Sequence, residues 1–165
     1  MRRVLLALLL IAGTASAEPF ESIDGGTVDP AAHDGPVLLV NTASLCAFTP
    51  QYAALQRVHE AYAGRGLLVL AVPSDDFRQE LGSEAEVAAY CDANFGLTLP
   101  MTAITRVTGP DAHPVYRDLA AQGFAPAWNF DKALLADGRL LGSWRSRTAP
   151  DGPEIAAAVE AALGG

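Results

Sequence analysis

The sequence predicts an α/β domain: a mixed central sheet flanked by helices, with a short N-terminal hairpin. Unbroken apolar runs at 36–42 and 67–72 read as strands buried on both faces. Between and after them, apolar residues recur three and four positions apart, the period of helices that cover a sheet. In the second half, Asp137-Gly138 separates two further runs and marks an antiparallel hairpin. A length of 165 residues suits one domain with a sizeable core.

The elements follow in order. A small leading hairpin is expected around 20–23 and 26–28, then the strand 36–42. A helix comes next: Thr49 is suited to cap it and Pro50 to its first position, where no amide bond is lost. Tyr52, Leu55, Val58 and Tyr62 form its apolar stripe, and Gly64 ends it. After the strand 67–72, Ser83 and Glu86 form a capping box for a second helix. It runs to Phe95, with Gly96 placed for a left-handed closing residue. A strand is expected over 101–105, and a short helix opens at His113-Pro114 and ends near Gln122. Strands 132–136 and 139–144 flank the Asp137-Gly138 turn. Pro153 starts a final helix that faces inward with Ile155, Val159 and Leu163. The order strand, helix, strand, helix, strand, strand, helix resembles that of the thioredoxin-like fold.

Residues 1–17 read as an export leader. Arg2 and Arg3 form a basic head, an apolar run of nine follows, and Ala15-Ser16-Ala17 offers a small-x-small cleavage site. Nine residues are too few to span a bilayer. The expected mature domain is 18–165, secreted to a periplasm or the exterior, with no membrane span. Loss of two arginines takes the net charge from −8 to −10, with nine basic against nineteen acidic residues. That balance excludes a phosphate-neutralising partner such as nucleic acid. The apolar half of the chain includes 31 alanines and few aromatics, as in a globular domain. Two cysteines exclude a disulfide-dense scaffold and a four-ligand zinc site. The three histidines show no helical metal spacing, so no metal is expected.

Cys46 falls between the first long strand and the first turn of the following helix. Free amides and the helix dipole there favour the thiolate, the reactive form. Thr49 and Pro50 stand where a C-x-x-C or C-x-x-x-C motif would have its second thiol. The helix start thus lacks a local dithiol, which turns the reading from disulfide exchange toward peroxide chemistry. A thiolate attacking a peroxide oxygen becomes a sulfenic acid.

The segment 39–52, Leu-Val-Asn-Thr-Ala-Ser-Leu-Cys-Ala-Phe-Thr-Pro-Gln-Tyr, resembles the signature of the glutathione peroxidase family around its redox residue. Gly82-Ser83-Glu84, the run 96–101, the run 109–116 and Trp128-Asn129-Phe130 match further motifs in the same order. The resemblance implies a thiol-dependent reductase of hydrogen peroxide or organic hydroperoxides that uses a thiol reductant and no cofactor. Its catalytic group would include Cys46, Trp128 and Asn129, whose N–H groups are suitable donors to a thiolate and a bound peroxide. Only 117–127 separates Tyr116 from Trp128, which points to the compact, monomeric branch. That branch implies a thioredoxin-like reductant ahead of glutathione.

The family's glutamine position departs from the pattern. Where relatives have Pro-Cys-Asn-Gln-Phe, this chain has Pro73-Ser74-Asp75-Asp76-Phe77, and the loop before Gln79-Glu80 is one residue shorter. An ionised Asp76 accepts hydrogen bonds but donates none, and its charge would disfavour a nearby thiolate. Asp76 turns away, or carries a proton, or Gln79 supplies the missing amide, or activity is weakened. The spacing of Asp76 to Pro73 and Phe77 favours its occupying the glutamine position. Cys91, on the second helix, is the candidate resolving thiol; its place on the apolar stripe equally suits a small core residue. Two rival readings stay open: a thiol–disulfide oxidoreductase on the same fold, and a non-catalytic relative.

Overall fold

A computed structural model describes residues 18–164 of the chain; the expected leader lies outside them. Two short strands, β1 (Phe20–Glu21) and β2 (Thr27–Val28), form the leading hairpin. The central sheet holds β3 (Val37–Thr42), β4 (Leu68–Pro73), β5 (Lys132–Ala136) and β6 (Arg139–Trp144) in the order β4-β3-β5-β6. β4 runs parallel to β3, whereas β5 and β6 are antiparallel neighbours. Among the described residues, four α-helices accompany it: α1 (Gln51–Tyr62), α2 (Glu84–Phe95), α3 (Pro114–Ala121) and α4 (Pro153–Ala162).

Alternation along the strands divides the core in two. Leu38, Val40, Val69, Ala71 and Leu134 pack against Tyr52, Leu55 and Val58 of α1, Cys91 of α2 and Ile155 and Val159 of α4. Val37, Leu39, Leu70, Val72 and Leu135 face Val115, Tyr116 and Leu119 of α3, together with Phe20 from the hairpin. Both sheet faces are thus covered, which is why Val37 to Val40 of β3 and Leu68 to Val72 of β4 are apolar without alternation. His113 accepts from the Val115 amide at 3.4 Å and stacks on Phe20, fixing the start of α3 against the hairpin. No described helix is long and apolar enough to cross a membrane.

Two expectations are corrected. The segment 101–105 is not a strand: Met101 makes one bridge to Ala71 and Thr102 one to Ser22. The hydroxyls of Thr102 and Thr105 both turn back to the Ala103 carbonyl and curl the chain away. Thr49 does not cap α1, which starts at Gln51 after Pro50, because its hydroxyl is committed to the preceding loop. Ser83 does cap α2, accepting from the Glu86 amide, and Gly96 closes it at φ +56°.

Candidate active site

Cys46 lies in the loop between β3 and α1, 7% exposed. Thr49 shapes this loop. Its hydroxyl accepts from the Cys46 amide at 3.0 Å and donates to the Ala43 carbonyl at 2.8 Å, while its own amide donates to the Cys46 carbonyl. The turn presents the Phe48 amide to the Cys46 sulfur at 3.4 Å. The N–H that reaches the sulfur therefore comes from this turn, ahead of α1. A backbone donor costs no reorganisation when charge develops on sulfur.

A second segment, Gln79 to Leu81, clamps the same loop from the side. The Gln79 carbonyl accepts from the Leu45 amide at 2.9 Å. One Glu80 carboxylate oxygen accepts from the Ser44 and Leu81 amides, both at 2.9 Å. Glu80 is buried, and burial raises its carboxyl above the ordinary range, with the Asp75 charge adding to the rise. The Gln79 side chain reaches the other way and accepts from the Asn129 amide at 3.0 Å.

Asn129 is fully buried in the corner before β5, between exposed Trp128 and buried Phe130. Asn41 of β3 donates to the Trp128 carbonyl at 2.9 Å and accepts from the Phe130 amide at 2.6 Å. Phe130 adopts φ +64°, a left-handed conformation costly for a bulky residue. Lys132 donates to the Phe130 carbonyl at 2.7 Å from a fully buried position. Buried Asp131 ties down the rest of the corner. It accepts from the Ala127 amide, the Ser146 amide and hydroxyl, and the Arg145 guanidinium at 2.7 Å. Trp128 is 42% exposed, with its ring centroid 5.5 Å from that of Phe77. Leu45, beside Cys46, is 60% exposed.

The structure thus joins the loop before Cys46, Gln79 and Asn129 in one hydrogen-bonded set and seats Trp128 against Phe77. Asp76 is not part of that set. Its carboxylate accepts from the Val107 amide (2.7 Å), the Thr108 amide (2.8 Å) and the Thr108 hydroxyl (3.0 Å). These donors lie in the loop before α3, so the expectation that Asp76 takes the glutamine's place is corrected. Gln79 is instead the side chain of this loop that bonds Asn129, and Arg78 before it holds φ +56°. Cys91 is 1% exposed in the same core cluster as Cys46, and both cysteines are free. Burial pushes its thiol up to about 11. The sequence reading missed Glu80 and Asn41 as groups that hold the site together. Asn41, which with Thr42 ends the apolar run of a buried strand, was the visible signal.

A family model described as glutathione peroxidase matches residues 19–120. A hydroperoxy fatty acid reductase of Synechocystis is 37% identical over 156 residues, covering 86% of this chain and 91% of that protein. The thioredoxin/glutathione peroxidase BtuE of Escherichia coli is 33% identical over 171 residues, covering 87% and 93%. Among solved structures, the apo form of Trgpx superposes with a TM-score of 0.69 at 29% identity, covering 90% of this chain and 95% of that one.

Proposed function

Because this chain belongs to the glutathione peroxidase family and is a thiol-dependent peroxidase, we propose that Cys46 is the residue that takes the oxygen. Its thiolate attacks one peroxide oxygen, the O–O bond breaks, and the departing oxygen takes a proton to leave as water or alcohol. Cys46 becomes a sulfenic acid. Trp128, Asn129 and Gln79 supply side-chain N–H groups for the thiolate and the departing oxygen. The observation that carries this assignment is the clamp of Gln79 to Leu81. It binds the backbone just before Cys46 and, through the Gln79 side chain, Asn129.

The apolar rim of Leu45, Phe77 and Trp128 suits an organic hydroperoxide, the class named for the Synechocystis relative. Cys91 then condenses with the sulfenic acid, and a thioredoxin-like protein, or else glutathione, restores both thiols. Both donors are named for the Escherichia coli relative. The basic head and apolar run in 1–17 support export to the periplasm, and the short 117–127 connection supports a monomer.

Rapid mixing of the mature protein with hydrogen peroxide and with cumene hydroperoxide, followed by mass analysis, tests this reading. Addition of one oxygen at Cys46, then its loss with formation of a Cys46–Cys91 disulfide, is the expected result. A Cys46 that stays reduced would overturn it.

A further inference from the structure

Asn129 owes its place to its two neighbours in the chain, since Trp128 and Phe130 are both bound by Asn41. Phe130 holds a left-handed backbone, which a bulky residue keeps only where its surroundings dictate it. Three anchors do so here. The Phe130 amide donates to the Asn41 carbonyl at 2.6 Å, and its buried ring meets Tyr52 edge-on at a centroid distance of 5.3 Å. Its carbonyl accepts from Lys132 Nζ at 2.7 Å.

Lys132 is an unusual third anchor. It is wholly buried in β5, and among the described residues it makes no ion pair. Neighbouring Asp131 spends its carboxylate on Ala127, Arg145 and Ser146. The two groups that Lys132 reaches are carbonyls, that of Phe130 and, at 3.4 Å, that of Ser146. The Ser146 carbonyl also accepts at 2.6 Å from the side chain of Gln51, the first residue of α1. Burying an ammonium without a counter-charge is costly, and an apolar side chain of similar length would serve the sheet at least as well. The strand gains nothing from this amine; the Phe130 carbonyl does.

We propose that Lys132 is a positioning residue for peroxide reduction: with Asn41 it clamps the chain on both sides of Asn129 and keeps the Asn129 amide aimed at Gln79. The inference rests on the donor role given to Asn129 above. Lys132 acts through that residue. Without the amine, the Phe130 carbonyl loses this donor and its backbone relaxes toward ordinary negative φ. The Asn129 side chain then turns away from its 3.0 Å bond to Gln79. Asn41 holds the other side, because its side chain donates to the Trp128 carbonyl at 2.9 Å.

The test is a double-mutant cycle on the oxidation of Cys46 by hydrogen peroxide at pH 7, followed by rapid mixing, acid quench and mass analysis. Lys132→Met keeps most of the stem, drops the amine and should fold, because it removes a buried ion. It should slow oxidation about tenfold, the cost of a slightly displaced group. In an Asn129→Ala background the same substitution should change the rate by less than about twofold. A general loss of structure would slow oxidation equally in both backgrounds, and that result overturns the proposal. A parent-like rate in Lys132→Met beside a slow Asn129→Ala also overturns it, while the role of Asn129 stands. A parent-like rate in Asn129→Ala overturns that role, and the proposal with it. Should Lys132→Met fail to fold by circular dichroism, Asn41→Ala takes its place in the cycle. Equal slowing in its two backgrounds, or none in either, then overturns the clamp.

Discussion

The Asn129 side-chain amide donates to the Gln79 side-chain carbonyl at 3.0 Å, joining residues fifty positions apart. Gln79 accepts in that bond, which leaves its NH₂ group uncommitted to Asn129, and its backbone carbonyl holds the Leu45 amide next to Cys46. Gln79→Ala should therefore slow Cys46 oxidation by about 10²-fold, the usual cost of one preorganised donor. Asp76→Gln should change the oxidation rate less than twofold, because the carboxylate is spent on Val107 and Thr108. It should instead lower stability by about 1–2 kcal/mol, read by thermal unfolding. A large rate effect from Asp76→Gln alone would reverse these assignments.

Cys46→Ser should abolish peroxide reduction while unfolding at nearly the parent temperature, since the serine hydroxyl keeps the shape and lacks an accessible anion. Cys91→Ser should take one peroxide and stop at the sulfenic acid, with no intramolecular disulfide. Undiminished recycling of that variant by a thioredoxin-like donor would make Cys91 a core residue only.

Trp128→Phe and Asn129→Ala should slow oxidation more than re-reduction. The loss at buried Asn129 should approach 10²-fold, and the loss at exposed Trp128 should be smaller because water competes for the same donor role. Equal oxidation rates in parent and both variants would leave the corner purely architectural.

Lys132 gives a stability effect with a definite sign. Burial depresses its ammonium from 10.5 to about 8, with the Asp131 charge opposing the fall. Between those values the unfolded chain binds more protons than the folded one. Lys132 thus contributes increasing stability as pH rises from about 8 to 10.5. Denaturant titrations of the parent and Lys132→Met should show their difference moving in favour of the parent over this window. A flat difference would mean that the ammonium is not depressed.

Arg78 is exposed and holds φ +56° in the shortened loop. Glycine bears no side-chain penalty in that region, so Arg78→Gly should stabilise the fold by up to about 1 kcal/mol without loss of activity. A lower unfolding temperature would show that the Arg78 side chain contributes more than its backbone costs.

The periodic parts of the chain were legible because periodicity reports burial. The runs at 36–42 and 67–72, the Ser83–Glu86 box and the Asp137-Gly138 turn all lead directly to observed elements. Motif context singled out Cys46, Trp128 and Asn129 as candidates and made the peroxidase family legible. What the sequence hid was loop conformation. Asp76 and Gln79 were both weighed for the glutamine position, and nothing in composition or spacing decides that Gln79 bonds Asn129 while Asp76 turns to Val107 and Thr108. Buried charge was hidden for a related reason. Glu80, Asp131 and Lys132 look like surface residues until the amides and carbonyls that satisfy them are brought close by chain segments far away in sequence.

The chain has only two tryptophans, and they occupy unlike settings. Trp128 stands exposed at the mouth of the site against Phe77, while Trp144 lies half-buried on the edge strand with its ring folded over Gly142. Replacing Trp144 with phenylalanine would leave Trp128 as the single tryptophan, excited selectively beyond the absorption of the four tyrosines. The protein would then carry its own optical gauge of redox state, readable in a cuvette without label, dye or coupled reductase.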